Sequence, residues 1–197
     1  MRCAANSGTL HWMNRRKAIR NLGIAAAAAS VASGQQWKDG FARQWRDMFL
    51  SHWRVEKQYT LAVVDAMPED GYDLKPTPAQ RTFGEQLVHL GRANVAYMSA
   101  FSVKEPPAAP ATTDKATVRA YIAATFDYVD AVLSTITEKD LMRSDLKFSA
   151  RAKPHNGSDL FMRAYTHTAH HRGQVIVYLR VKGIVPPTWA FEPSARA

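Results

Sequence analysis

Cysteine is almost missing from this chain: of 197 residues only Cys3 carries a thiol. A disulfide framework needs pairs, and a cysteine-ligated zinc site needs clusters, so both are excluded from the body of the protein. A metal bound there must be held by nitrogen and oxygen ligands. Sustained alternation of apolar and polar residues is absent too, which argues against a half-buried sheet. No internal repeat is visible. The longest mildly apolar run, residues 22–32, is too short for an ordinary membrane span and ends in Gly34, Gln35 and Gln36.

Acidic residues are scarce at one end. The chain has 26 Lys and Arg against 17 Asp and Glu. Arg2, Arg15, Arg16, Lys17 and Arg20 fall within residues 1–34, which contain no acidic side chain; the remainder carries 21 basic against 17 acidic residues. So modest an excess is a solvated basic surface, and no stretch interleaves aromatics with clustered Lys and Arg as a strand-binding groove would. Nucleic-acid binding is therefore not expected. Hydrophobic residues make up 46% and charged residues 22%, the balance of a folded domain, and the length suits one core.

Residues 1–34 read as an export leader. A charged head (Asn14, Arg15, Arg16, Lys17) precedes an Ala-rich apolar stretch and small residues at Ser30, Val31 and Ala32. Paired arginines before a weakly hydrophobic core resemble a twin-arginine signal, although Asn14 stands where Ser or Thr is usual and Ala18 where Phe is common. Met13 offers an alternative start. The expectation is a periplasmic protein with no stable membrane span once the leader is removed. A retained basic tail on a cytoplasmic protein is the alternative.

Residues 35–197 are expected to form one all-α domain. Four helical patterns follow one another. The first covers about 37–66, with Phe41, Trp45, Met48, Phe49, Trp53, Val55, Tyr59 and Val63 as its apolar stripe. Trp37, Trp45 and Trp53 recur every eight residues, a spacing of core or dimer surface. The second starts at a capping box, Thr82 with Glu85, and carries Phe83, Leu87, Leu90, Asn94, Met98 and Phe101. The third covers about 113–135 with Val118, Ile122, Phe126, Val129 and Leu133 inward. Residues 138–157 read as a loop with little regular structure. The fourth runs from Ser158 as N-cap to Gly183 as C-cap. Such elements pack as a four-helix bundle.

Histidines carry the chemistry. His167 and His171 are four residues apart, one turn along one helix face with Leu160, Ala164, Gln174, Val175 and Tyr178, so both imidazoles can reach one ion. His89 lies off the heavy apolar stripe of its helix, beside Glu85, Ala93 and Ala96, and is the candidate third ligand. His170 projects to the side of the pair. His52 and His155 have no partner at ligand spacing, and His11 belongs to the leader. Glu85 has two readings: the cap, which is the cheaper, or a group that orients His89 or takes a proton beside it. Arg172 reads as a surface or inter-helix hydrogen-bonding group, and Tyr178 as core.

The run Ala66-Met67-Pro68-Glu69-Asp70-Gly71-Tyr72-Asp73-Leu74-Lys75-Pro76, followed by Thr82-Phe83-Gly84-Glu85-Gln86-Leu87-Val88-His89-Leu90, resembles the first two helices and linker of DinB-like proteins. His167-Thr168-Ala169-His170-His171-Arg172-Gly173-Gln174, with Tyr178-Leu179-Arg180 and Gly183, resembles their last helix. The likeness spans about 37–187. It implies an up-down four-helix bundle, a homodimer, and a divalent ion, zinc or nickel, on His89, His167 and His171. Relatives of this fold include thiol-dependent S-transferases and isomerases. The leader departs from the usual cytosolic pattern and sets export against a cytosolic thiol cosubstrate. The expectation is a metal-dependent enzyme, a hydrolase or a thiol S-transferase acting on a small molecule. The alternative is a non-catalytic, stress-associated metal-binding protein whose ion is structural. Which residues are catalytic is left open.

Overall fold

The computed structural model describes residues 15–189, with side chains from Gly40 onward. Residues 1–14 of the expected leader, with Cys3 and His11, and the side chains of residues 15–39, Trp37 among them, thus lie outside the described residues. The chain divides into two units, Met1–Phe41 and Ala42–Ala197. The described part of the first is helical from Arg15; the rest of this account concerns the second. Among the described residues no helix is long and apolar enough to cross a membrane.

The helices are α1 (Arg15–Ala66), α2 (Phe83–Ser99), α3 (Lys115–Leu133), the short α4 (Glu138–Met142) and α5 (Gly157–Val181), with a 3-10 turn at Glu69–Gly71. The four long ones build the expected all-helical bundle. α2 packs on both α3 and α5. α1 meets α3 through the indole Nε1–H of Trp53, which donates to the Phe126 carbonyl at 3.0 Å beneath a ring contact of 4.6 Å.

Local chemistry sets the helix ends. The Thr82–Glu85 capping box is formed: the Thr82 hydroxyl accepts from the Glu85 N–H, and Glu85 Oε2 accepts from the Thr82 N–H at 2.8 Å. Asp114 caps α3 through the Thr117 N–H. α5 has Lys182, not Gly183, as its C-cap and closes one residue later in a left-handed turn: Gly183 has φ of 77°, its N–H bonds to the Arg180 carbonyl, and the Ile184 N–H reaches back to Leu179. At the other end the cap is Asn156, not Ser158, and Gly157 opens the helix. Gly157 has no room for a side chain, since a Cβ there would lie 2.1 Å from the Asp140 carbonyl oxygen.

Two further expectations are corrected. Residues 138–157 are not featureless: Thr137 and Asp140 form a second capping box on α4, and Leu146 pairs with His155 in an isolated antiparallel bridge that buries Leu146. The core stripe of α1 runs through Phe49, Trp53, Glu56, Thr60 and Val63, while Phe41 and Met48 are exposed and Val55 is half-buried. Of the two readings of Arg172, the inter-helix hydrogen-bonding one holds. The side chain is buried, hydrogen-bonds Glu56 and lies 4.6 Å from the Tyr59 ring centre, so the two buried polar residues of α1 are there to receive it.

Candidate metal centre

α2 and α5 pack side by side, and this seam brings the three histidines together. His167 and His171 stack along one face of α5, ring centroids 4.2 Å apart. His89 enters from α2, at 5.2 Å from His167 and 4.6 Å from His171. One ligand nitrogen from each ring lies within 4.8 Å of the others, so a single ion can reach all three. The seam is pinned nearby: Thr168, beside His167, donates through its hydroxyl to Asn94 Oδ1 at 3.2 Å, both side chains fully buried.

The rings are in the state that ligation requires. Burial, reinforced by the other imidazoles, pushes His167 down to about 4. Burial likewise holds His171 at about 4, against a hydrogen bond to Gln174 that pulls upward. His89 is lowered by burial and by the Arg81 and Arg92 charges. All three are neutral near pH 7, with lone pairs available. His171 Nδ1 lies 2.7 Å from Gln174 Oε1 and 2.5 Å from Gln86 Nε2, and a proton on Nδ1 directed at the Gln174 oxygen leaves Nε2 free to accept. Gln86, from α2, donates its amide N–H to the same Gln174 oxygen. His167 Nδ1 is buried with no hydrogen-bond partner. An orphaned buried nitrogen beside two other neutral imidazoles fits a cation better than it fits a finished core.

Two clefts flank the cluster. One, about 400 Å³, is lined by Gln80, Arg81, Gln86, His171, Gln174 and Tyr178. The other, about 420 Å³, is lined by Arg81, Glu85, Val88, His89, Arg92 and Thr113. Arg81 borders both.

The helical bundle and this cluster fit a known pattern. The family model of the DinB superfamily matches residues 52–175, the span that contains all three histidines. The chain belongs to the DinB superfamily. A DinB-like protein from Bacillus cereus shares its fold with a TM-score of 0.60 and 25% identity, covering 71% of this chain and 94% of that one. A DinB-like protein from Bacillus subtilis has a TM-score of 0.58 and 20% identity over 72% of this chain and 96% of its own. No curated protein matches the chain.

Around this DinB cluster the other residues take their places. Glu85 is exposed, spent on the α2 cap, and lowered chiefly by its bond to the Thr82 N–H. His170 stands outside the cluster, exposed, in contact with Gln174 at 3.1 Å. His155 Nδ1 is 2.7 Å from Asp159 Oδ2, away from the three. Tyr178 is buried, and its hydroxyl donates to the Arg81 carbonyl at 2.8 Å. Gln86, buried three residues before His89, is not picked out by helix spacing and shows its part only through its contacts with α5. Arg81, Arg92 and Tyr97, whose ring lies 6.0 Å from His167, were equally silent.

Proposed function

We propose that this DinB protein holds a divalent ion, zinc or nickel, on His89, His167 and His171, and uses it in a metal-dependent reaction of hydrolase or thiol S-transferase type. The convergence of three neutral imidazoles across the α2–α5 seam carries the reading. Three protein ligands are the number that catalytic sites use, since a fourth position stays open for substrate. An ion so held supplies Lewis acidity at neutral pH. The chain's own contribution is positional: Gln174 and Gln86 fix the His171 ring, while the two clefts give a small molecule a route to His89 on one side and His171 on the other.

Elemental analysis of the purified protein tests the first half of the proposal, and a thiol-transfer and hydrolase screen with and without chelator tests the second. A stoichiometric ion whose removal abolishes turnover and leaves helicity intact is the expected result. Absence of any bound ion after zinc or nickel reconstitution would sink it. The composition of residues 1–34 supports export to the periplasm, which fractionation of the expressing cell checks. The resemblance also supports a homodimer, to be read from sedimentation.

A further inference from the structure

We propose that the cleft beside His89 takes a small organic anion, a carboxylate or a phosphate monoester, with Arg81 and Arg92 binding its anionic group. As a statement about substrate class it rests on the three-histidine reading; the arginine cleft itself does not.

The charge pattern carries the inference. Arg46, Arg54, Arg119, Arg143, Arg163 and Arg172 each hold a carboxylate within salt-bridge distance. Arg43, Arg81, Arg92, Arg151 and Arg180 have no such partner among the described residues, and of these Arg81 and Arg92 line the 420 Å³ cleft and act electrostatically on His89. Of the residues lining that cleft, Glu85 alone is acidic, and its Oε2 is already committed to the Thr82 N–H. Lys75 and Arg81 act on that carboxylate as well, so cationic charge surrounds it.

Neutral imidazoles cancel none of an ion's charge. A divalent cation on the three histidines would therefore join two guanidiniums in a region with a single engaged carboxylate. An anion relieves this excess, and guanidinium is the group best shaped to bind carboxylate or phosphate in a bidentate fashion. The cleft volume lies in the small-molecule range. Arg81 also borders the cleft at His171, so an anion paired with it stands beside both flanking histidines.

Calorimetric titration of the full chain, metal-stripped and zinc-loaded, tests the proposal with three probes: succinate, inorganic phosphate and neutral succinamide. At least one anion should bind the metal-stripped protein, more weakly as salt is raised, and the preferred anion distinguishes carboxylate from phosphate recognition. Arg81→Gln and Arg92→Gln, shown to be folded by circular dichroism, should each weaken that binding by about ten- to a hundredfold. Binding of succinamide equal to that of succinate, unchanged affinity in both variants, or no anion binding to either form would overturn it. So would anion binding seen only with zinc and indifferent to both arginines, which would be exchange at the ion alone. Metal content measured on the same samples after loading with zinc or with nickel separates the two proposals. Anion binding without any uptake of zinc or nickel refutes the metal reading alone, and metal uptake without anion binding refutes this one alone.

Discussion

His171 Nδ1 lies 2.7 Å from the Oε1 of Gln174, three residues further along α5. A proton held on that nitrogen by the oxygen leaves the other nitrogen free to ligate. Replacing Gln174 with Leu removes the acceptor and leaves the ring free to turn. Metal affinity should fall by about 10- to 100-fold, the usual effect of losing a ligand's supporting hydrogen bond. Competition against a chromogenic chelator measures it, and an unchanged affinity would show that packing alone orients the ring.

Removing a ligand outright should behave differently. His89→Ala, His167→Ala and His171→Ala are each expected to lose stoichiometric zinc, while far-ultraviolet circular dichroism stays that of a helical bundle. His170→Ala, whose ring is exposed outside the cluster, should keep its zinc. The His89 variant also separates an enzyme from a protein whose ion is only structural. In the first case activity is lost at nearly unchanged thermal stability; in the second the thermal transition of the zinc-treated protein drops to that of the metal-free chain.

The histidines also make the metal-free protein sensitive to acid. His167 and His171 titrate near 4 in the folded chain but at their ordinary 6.5 when exposed by unfolding. Between those values the unfolded chain binds more protons, so stability falls as pH drops from about 6.5 towards 4 and levels off below. Urea midpoints of the metal-free protein at pH 7.5, 5.5 and 4.5 read this slope. His167→Gln/His171→Gln should flatten it; an equally steep slope in that variant would place the titrating groups elsewhere.

Arg172 and Glu56 are both buried, and each is the other's counter-charge. Arg172→Met alone leaves the carboxylate without its partner and should cost about 3–5 kcal/mol. Adding Glu56→Leu removes the stranded charge, so the double variant should recover much of that loss. Denaturant titrations of the two single variants and the double variant make the comparison, and strictly additive losses would refute the pairing.

Gly157→Ala should be costly although glycine is normally the weaker helix former. The new Cβ would overlap the Asp140 carbonyl, which is backbone and belongs to α4, so α4 and α5 must separate. Overpacking of this kind costs about 1–3 kcal/mol, to be read from the thermal transition.

The sequence disclosed most where spacing and side-chain chemistry coincide. The inward residues of α2 and α3 follow helical periodicity with apolar side chains, and the Thr82–Glu85 box is a local signal that needs no tertiary partner. His167 and His171 were legible because four residues make one turn. What stayed hidden depends on contacts between distant segments. Glu56 and Thr60 interrupt the apolar pattern of α1, so the stripe was drawn through exposed Phe41 and Met48; nothing in α1 alone tells that Arg172 will come to meet Glu56. Gln86 and Gln174 matter through one shared oxygen contributed by α5. α4 is a single turn and a half, too short for periodicity, and its necessity appears only where Gly157 presses on it.

Tyr178 looks like core filling, yet its hydroxyl moors the Arg81 carbonyl to α5. The stretch leading into α2 is thereby tethered to the same rigid rod that bears two of the three histidines. The reach of the Arg81 guanidinium and the position of those imidazoles are consequently set against one common reference. A displacement of α5 would carry Arg81 along with His167 and His171, while His89 stays with α2.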